Sequence, residues 1–305
     1  MANDQQWDID LFLQYLEREK RMSRHTVTNY QRDLNQFIQF CQQQTLPTWS
    51  EVKSKDIRQF IAVLHRQGLG GRSIQRILSA IRSFYRFLMR EGWAEINPAQ
   101  AVQAPKVQKR LPATLDIDQI NGLLDLSHHQ GTIAIRDHAI MELFYSSGLR
   151  LAELVSLNLR DIDITDRLVY VTGKGSKQRV VPIGSKAIEA LQHWLDKREQ
   201  LGFYGEQALF ISQTGRRLGD RAIQKRLMFW GVKQGTSDKV HPHRLRHAFA
   251  SHMLEASGDL RAVQELLGHA DISTTQIYTH VDFQHLAKVY DSAHPRARTR
   301  ARKKE

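Results

Sequence analysis

The segment DRLVYVTGKGSKQRVVPIG, residues 166–184, decides the fold class because it carries a strand pattern in a chain of mostly helical patterns. Aliphatic and aromatic residues lie on both sides of a Gly-Lys-Gly-Ser turn: Leu168, Tyr170, Val180, Val181 and Ile183. Two short apolar runs around a glycine-containing turn are typical of a β-hairpin. The segment therefore predicts a small antiparallel sheet.

Helical patterns surround this hairpin on both sides. In the same part of the chain, apolar periodicity predicts helices over 116–126, 136–145, 186–200, 219–230, 243–256, 259–267 and 282–291. In the first 92 residues, apolar side chains at spacings of three and four predict four helices, over 8–20, 24–42, 55–67 and 73–91. The sequence thus predicts a mainly α protein that begins with a compact four-helix domain.

The segment NPAQAVQAPKVQKRLPATL, residues 97–115, interrupts the helical periodicity with three prolines, small residues and three positive charges. Such a composition predicts a linker, and a chain of 305 residues is long enough for about two domains. The predicted organisation is an N-terminal helical domain (1–95), a linker (96–113), a second domain (114–291) and a basic tail (292–305). We expect its stretch HPRARTRARKKE, residues 294–305, to be disordered when the protein is alone.

The charge balance predicts a polyanionic partner. The chain has 44 Lys and Arg against 32 Asp and Glu, a formal net charge of +12, and nucleic acid is the partner we expect first. Arginines along the helix predicted over 73–91 could follow a phosphate backbone: Arg72, Arg76, Arg82 and Arg86. The alternative for these arginines is an ordinary solvated helix face. The alternative partner to nucleic acid is an anionic membrane, but the sequence lacks the basic amphipathic helix that would bind a membrane surface.

Other features favour a cytoplasmic protein without a membrane span. No apolar run reaches the roughly 18–20 residues that a span needs, and the polar start MANDQQWDID is unlike a signal peptide. The single cysteine, Cys41, excludes an internal disulfide and fits a reducing compartment. Its position on an apolar helical stripe predicts core packing.

Four short motifs contain residues that could carry chemistry. They are SGLRLAELVSL (147–157) with Arg150 and Glu153, TGKGSKQR (172–179) with Lys174, HPHRLRHAFASH (241–252) with His243 and Arg246, and LLGHADISTTQIYTH (266–280) with His269 and Tyr278. Each motif has a purely structural alternative. These are an i,i+3 ion pair, a solvated turn, a DNA-facing helix without chemistry, and a helix cap beside a packed tyrosine.

Taken together, these residue types suit phosphoryl transfer without a metal ion. Arginine is permanently charged and can bind two oxygens of the negatively charged transition state. A tyrosine hydroxyl can attack phosphorus when a base or a positive field activates it, and His243 could exchange that proton near neutral pH. Lys174 could protonate the leaving 5′-oxygen, His269 could donate to a phosphate oxygen, and Glu153 could orient its neighbours.

Metal and nucleotide sites are not favoured. His243 and His247 have the spacing of helical zinc ligands, but two arginines lie between them and no glutamate follows the first histidine. The GKGSK turn lacks the GxxxxGK[ST] spacing of a nucleotide-binding loop, because Leu168 stands where the first glycine would fall. We therefore expect neither a metal nor another cofactor.

With these residues in this order, the chain resembles the tyrosine site-specific recombinases, the lambda-integrase family. The shared pattern is a GLR motif, a hairpin lysine, HxLRH at 243–247, LLGH at 266–269 and a tyrosine nine residues later. The resemblance covers nearly the whole chain and all six catalytic positions. The segment STTQIYTHVDFQHLAKVYDSAHPRA further resembles bacterial chromosome-dimer resolvases of the Xer group.

The resemblance implies a four-helix core-binding (SAM-like) domain and a mainly helical catalytic domain with a small antiparallel sheet, which together close on DNA. The implied catalytic residues are Arg150, Lys174, His243, Arg246, His269 and the nucleophile Tyr278, with Glu153 in support. Cleavage would leave a 3′-phosphotyrosine link without ATP or metal, and exchange would pass through a Holliday junction. The implied partners are double-stranded DNA with a dif-like site, a XerD-like recombinase in a heterotetramer, and an FtsK-like septal DNA translocase. Residues 282–291 could dock on a neighbouring protomer.

Three other functions are compatible with parts of this pattern. A type IB topoisomerase would use similar residues but reseal the same strand, and would relax supercoiled DNA of any sequence. A non-catalytic protein of the same fold would bind DNA without forming a covalent complex. A metal-dependent nuclease would lose its activity in a chelator.

Overall fold

The structure, a computed structural model, describes residues 2–46, 48–105, 114–126, 131–173, 178–201, 205–236, 240–268, 286 and 289–297, with side chains from residue 8 onward. The chain divides into two compact units, Met1–Leu111 and Pro112–Glu305. Each unit has its own hydrophobic core.

Four helices form the first unit: α1 (Ala2–Arg18), α2 (Arg24–Gln43), α3 (Ser54–Arg66) and α4 (Gly71–Arg90). Each corresponds to a helix that the apolar periodicity predicts. Aromatic side chains fill the centre, where Phe12, Phe37 and Phe84 are fully buried. The prediction for Cys41 is confirmed, since its thiol lies in this core and burial raises its pKa to about 12.

Residues 97–102 pack on the first unit, although their composition predicts a linker. Ala99 and Val102 are buried in the helical core. The side chain of Arg82 on α4 donates to both of their carbonyl oxygens, and Asn97 donates to the carbonyl oxygen of Arg82 (3.0 Å). The linker prediction is therefore wrong for these residues: small side chains here serve close packing. Residues 106–113 lie outside the described residues.

The described part of the second unit contains α5 (Ile117–Leu124), α6 (Thr132–Ser147), α7 (Leu151–Ser156), α8 (Ser185–Gln200), α9 (Asp220–Lys233), α10 (Pro242–Ser257) and α11 (Leu260–Leu267). Helix α6 lies at the centre and packs against α8 and α10. The six-residue helix α7 is too short for apolar periodicity to predict. Of the helix predicted over 282–291, the structure describes only residues 286 and 289–291.

A three-stranded antiparallel sheet of order β1-β2-β3 completes this unit, with strands at Ile162–Asp163, Leu168–Thr172 and Gln178–Pro182. Strands β2 and β3 pair from Leu168 with Pro182 to Thr172 with Gln178. This pairing confirms the predicted hairpin, whose turn at 174–177 lies outside the described residues. Strand β1 has only two residues, so it shows no alternation in the sequence.

The C-terminal segment is not a free tail from residue 292. Ala293, His294 and Ala297 are buried in the core of the second unit. The Ser185 hydroxyl donates to the Ala297 carbonyl oxygen (2.8 Å). The prediction of disorder is therefore wrong for residues 294–297. It relied on their basic composition, which gives no information about contacts with residues far away in the sequence.

Leu286 and Tyr290 belong to the same core. Part of the segment expected to dock on a neighbouring protomer is thus packed within its own chain. Across the described residues, no helix is both long and apolar enough to cross a membrane.

Candidate active site

The buried carboxylate of Glu153 organises the start of α7. Arg150 precedes this helix, and its backbone N–H donates to Oε2 of Glu153 (2.7 Å). The Arg150 guanidinium donates to Oε1 through Nη1 (2.9 Å). A residue in the first helical turn can reach back in this way to the residue before the helix. The sequence RLAE, residues 150–153, therefore stabilises the start of its own helix.

A second arginine, Arg179 on β3, reaches the same carboxylate. Its Nη1 lies 2.7 Å from Oε1 of Glu153 and its Nη2 lies 2.9 Å from Oε2. The Arg179 side chain is only 8% exposed, whereas that of Arg150 is 41% exposed. Arg179 is thus an internal partner of Glu153, and Arg150 has a face open to a ligand.

These contacts control the ionisation of Glu153. Burial alone would raise the pKa of this carboxyl group. The hydrogen bonds and charge of Arg179, followed by those of Arg150, outweigh burial and lower the pKa to about 2. Glu153 is therefore a carboxylate at neutral pH.

Two arginines, Arg150 and Arg246, also bind the ends of two helices. Arg246 on α10 donates to the carbonyl oxygens of Gly148, at the end of α6, and Leu267, at the end of α11. Arg150 Nη2 donates to the Gly268 carbonyl oxygen (3.0 Å). The last carbonyl groups of a helix lack partners within the helix and carry partial negative charge. They therefore hold the guanidinium groups in place without neutralising them.

Gly148 is required at this junction for two reasons. Its φ of 55° lies in the left-handed region that favours glycine. A Cβ atom at this position would also clash with the ring of Phe249. The glycine of the GLR motif therefore allows α6 to end directly beside α10.

Arg246 experiences the positive charge of its neighbours. Burial is the largest cause that lowers its pKa, and the charges of Arg150 and Arg179 add to it, giving about 10. The guanidinium stays charged at neutral pH. A bound phosphate would relieve this repulsion, so the cluster is suited to an anion.

His243 lies one helical turn before Arg246 on α10, which begins at Pro242. Its side chain is exposed, and its ring lies edge-on to that of His241 (6.4 Å between centroids). His247 is exposed as well. Within the described ranges, no three His, Cys, Asp or Glu residues are grouped so as to hold a metal ion.

The structure thus brings Arg150, Glu153 and Arg246 together and places His243 on the same helix as Arg246. The other three residues predicted for the site, Lys174, His269 and Tyr278, lie outside the described residues. Two of these three residues lie close in sequence to residues that the structure describes. Lys174 follows β2 in the loop that leads to β3, and His269 follows Gly268.

Arg179 is the site residue that motif reasoning did not single out, although it ends the motif TGKGSKQR. The sequence does contain a pattern from which a structural role for Arg179 could have been predicted. Alternation along a strand places Arg179 on the same face as Val181, and Val181 is fully buried. An arginine on an inward-facing strand position needs a carboxylate partner, and Glu153 lies in the preceding motif.

The arginines of α4 differ in their surroundings. Arg72 and Arg86 are exposed. Arg76 forms an ion pair with the buried carboxylate of Asp33, and Arg82 holds residues 99–102. Two of the four arginines predicted to contact DNA therefore have partners inside the first unit.

Comparison with known proteins agrees with this fold. Residues 113–285 match the family described as Phage integrase family, and residues 9–92 match Phage integrase, N-terminal SAM-like domain. The chain therefore belongs to the phage integrase family, the tyrosine recombinases, which cut and rejoin DNA strands.

Within this family, the chain is similar over nearly its full length to proteins named Tyrosine recombinase XerC. The chain is 54% identical over 295 residues to Tyrosine recombinase XerC of Azotobacter vinelandii, covering 97% of this chain and 98% of that one. It is 49% identical over 291 residues to Tyrosine recombinase XerC of Escherichia coli O157:H7, covering 95% and 97%. Among solved structures, XerH site-specific recombinase bound to difH substrate has the same fold, with a TM-score of 0.66, 24% identity and coverage of 86% and 78%.

Proposed function

We propose that this chain is a site-specific recombinase that cuts each DNA strand with Tyr278 and joins it to a partner strand. The observation that supports this most is the convergence of Arg150 and Arg246 beside Glu153. Two guanidinium groups held by carbonyl oxygens and one carboxylate form a preorganised site for a phosphate. Such a site stabilises the charge that develops on the nonbridging oxygens in the transition state.

The two arginines keep donors for this ligand. A guanidinium has five N–H groups. In the described part of the chain, the side chains of Arg150 and Arg246 each make two hydrogen bonds within the protein. The other N–H groups of each can bind phosphate oxygens.

In the proposed cleavage step, the Tyr278 hydroxyl attacks phosphorus and the bond from phosphorus to the 5′-oxygen breaks. His243 takes the tyrosine proton, and Lys174 gives a proton to the leaving oxygen. His269 donates to a nonbridging oxygen. A 5′-hydroxyl from the partner strand then attacks the 3′-phosphotyrosine and gives its proton to Lys174, while the bond from phosphorus to the tyrosine oxygen breaks and His243 returns a proton to Tyr278. This restores a phosphodiester, and exchange of the first pair of strands forms a Holliday junction. The energy of the broken bond is kept in the tyrosine ester, so no ATP or metal is needed.

The XerC relatives support a finer assignment. We propose that the enzyme resolves chromosome dimers in the cytoplasm during chromosome segregation and cell division. It would act at a dif-like site in a heterotetramer with a XerD-like recombinase, under control of an FtsK-like septal translocase. The high identity to proteins named XerC over nearly the full length supports this role.

We also propose that the first unit is the core-binding domain, and that α4 contributes to DNA affinity. Arg72 and Arg86 are exposed on this helix and are free to bind phosphates along the backbone. Arg76 and Arg82 contribute to DNA binding through the fold, because their side chains have internal partners.

Covalent trapping tests the proposed function directly. The protein is incubated in a chelator with a dif-like duplex nicked near the crossover point, and the products are separated on a denaturing gel. We expect a shifted covalent band from the wild type. The matched control, Tyr278→Phe, keeps the ring and should bind DNA normally without forming the band.

Other results would point elsewhere. A band that persists in Tyr278→Phe would exclude this nucleophile. If no band forms, the experiment is repeated with a XerD-like partner added, because a heterotetramer can require both proteins. Absence of the band in both experiments, with normal DNA binding, would overturn the proposal in favour of a DNA-binding protein without catalysis.

A further inference from the structure

We propose that Arg179 is a positioning residue for DNA cleavage, which acts through Glu153 to hold the guanidinium of Arg150 ready for the phosphate. The inference rests on the proposed function and adds a residue to it. Arg179 is buried, so it is not a group that touches DNA itself. Its contacts are with the residues and chain segments that surround the proposed catalytic groups.

Arg150 and Arg179 share the carboxylate of Glu153. Oε1 accepts from Nη1 of both Arg150 (2.9 Å) and Arg179 (2.7 Å). Oε2 accepts from the backbone N–H of Arg150 (2.7 Å) and from Nη2 of Arg179 (2.9 Å). These four bonds fill the acceptor positions that a carboxylate offers.

Because Glu153 is shared, the Arg150 guanidinium makes only one hydrogen bond to this carboxylate. An arginine next to a free carboxylate prefers to bind it with two parallel hydrogen bonds. Arg179 already occupies Glu153 in this manner, so the Arg150 guanidinium makes one bond to it and directs Nη2 to Gly268. Without Arg179, Glu153 could draw Arg150 into a two-bond pair and offset its charge, which would leave less of it for the phosphate.

Arg179 also lies where three segments of the second unit meet. It is the second residue of β3, the strand that follows the loop with Lys174. Its Cδ would lie 3.0 Å from a Cβ at Gly268, where α11 ends and the chain continues to His269. One side chain thus joins β3, the start of α7 and the end of α11, which adjoin Lys174, Arg150 and His269 in the sequence.

The test compares Arg179→Lys with a matched control elsewhere in the unit. Lysine keeps the charge but lacks the paired N–H groups that bind a carboxylate twice. The control is Arg136→Lys, because Arg136 is also buried, binds the buried carboxylate of Asp137 and donates to a carbonyl oxygen, that of Ile211. Thermal unfolding of both variants shows whether each remains folded.

Single-turnover cleavage of the nicked duplex is then measured on two substrates, one with a normal scissile phosphate and one with a neutral methylphosphonate. On the phosphate, we expect Arg179→Lys to cleave at least about tenfold more slowly than the wild type, since misplaced charge is most harmful in the transition state. On the methylphosphonate, the deficit should shrink to about threefold or less, because the neutral substrate needs less of the Arg150 charge. Arg136→Lys should cleave both substrates at the wild-type rate.

A purely structural role predicts a different pattern, in which Arg179→Lys is equally slow on both substrates or as fast as the wild type on both. Either result would overturn the proposal. If Arg179→Lys does not fold, Glu153→Gln tests the same link from the other side and should show the same dependence on substrate. A wild type that forms no covalent complex would instead contradict the proposed function, so the two failures are distinguishable.

Discussion

The arginines of α4 and those around Glu153 use the same side chain in two different ways. On α4, Arg72 and Arg86 are exposed, and they lie 14 residues apart, or about 21 Å along the helix. Around Glu153, arginines from the start of α7, from β3 and from α10 converge on one carboxylate and on the ends of two helices. The first arrangement spreads positive charge, and the second concentrates it.

The difference shows that the partners of an arginine, more than its charge, define what it can do. Charges spread along a helix suit several phosphates of a DNA backbone, and each contributes a modest part of the affinity. Charges that converge and are held by protein acceptors suit a single phosphate whose charge changes during the reaction. Binding should therefore depend mainly on the first group, and catalysis on the second.

Among the arginine variants, Arg150→Ala should have the largest effect. Loss of this guanidinium should reduce single-turnover cleavage on the order of 100- to 1,000-fold. DNA affinity, measured by band shift, should stay within about threefold, because the contact strengthens in the transition state. The variant should fold, since Arg179 still binds Glu153 with two hydrogen bonds.

An equal loss of affinity and cleavage in Arg150→Ala would contradict this separation of roles. Arg150 would then only position the DNA, as an arginine of α4 could do. Arg150→Lys serves as the companion variant. It keeps the charge and loses the planar guanidinium, so its rate should fall between those of the wild type and Arg150→Ala.

A second effect concerns stability against pH. The pKa of Glu153 is lowered from 4.5 to about 2 in the folded protein. Its contribution to stability is therefore fully present above pH 4.5 and is lost as the pH falls towards 2. Complete loss would correspond to about 3 kcal/mol.

Urea unfolding of the wild type and Glu153→Gln at several pH values checks this expectation. The wild type should be more stable than the variant at pH 7, and the difference between them should shrink progressively below pH 4.5. A difference that stays constant down to pH 3.5 would show that Glu153 is not held by its arginine partners as described.

Much of the fold could be predicted because it depends on local patterns. The four helices of the first unit and the β2–β3 hairpin follow from apolar spacing and turn composition. The linker and tail predictions failed at residues 97–102 and 294–297 because composition records only local tendencies. Ala99 and Ala297 accept hydrogen bonds from Arg82 and Ser185, which are distant in sequence.

The candidate site shows the same division. The motifs identify Arg150 and Arg246 as residues suited to a phosphate, and spacing alone suggests that Glu153 pairs with Arg150. The bond from Arg179 to Glu153 joins residues 26 positions apart, and those from Arg246 end on backbone carbonyl groups. Backbone acceptors carry no signature in a sequence, so these contacts could come only from the three-dimensional structure.

The smallest effects are expected on α4, where two neighbouring arginines should behave in opposite ways. Arg82→Ala removes two hydrogen bonds to buried carbonyl groups, so it should lower the free energy of unfolding by about 1–2 kcal/mol. Arg86→Ala should change stability by no more than about 0.5 kcal/mol but weaken DNA binding a few-fold, and it should reduce the slope of log affinity against log salt by about one. Urea unfolding and band shifts at four salt concentrations measure both quantities. If Arg82→Ala alone reduced the salt slope, its guanidinium would be a phosphate contact, and the distinction between exposed and internally bound arginines on this helix would fail.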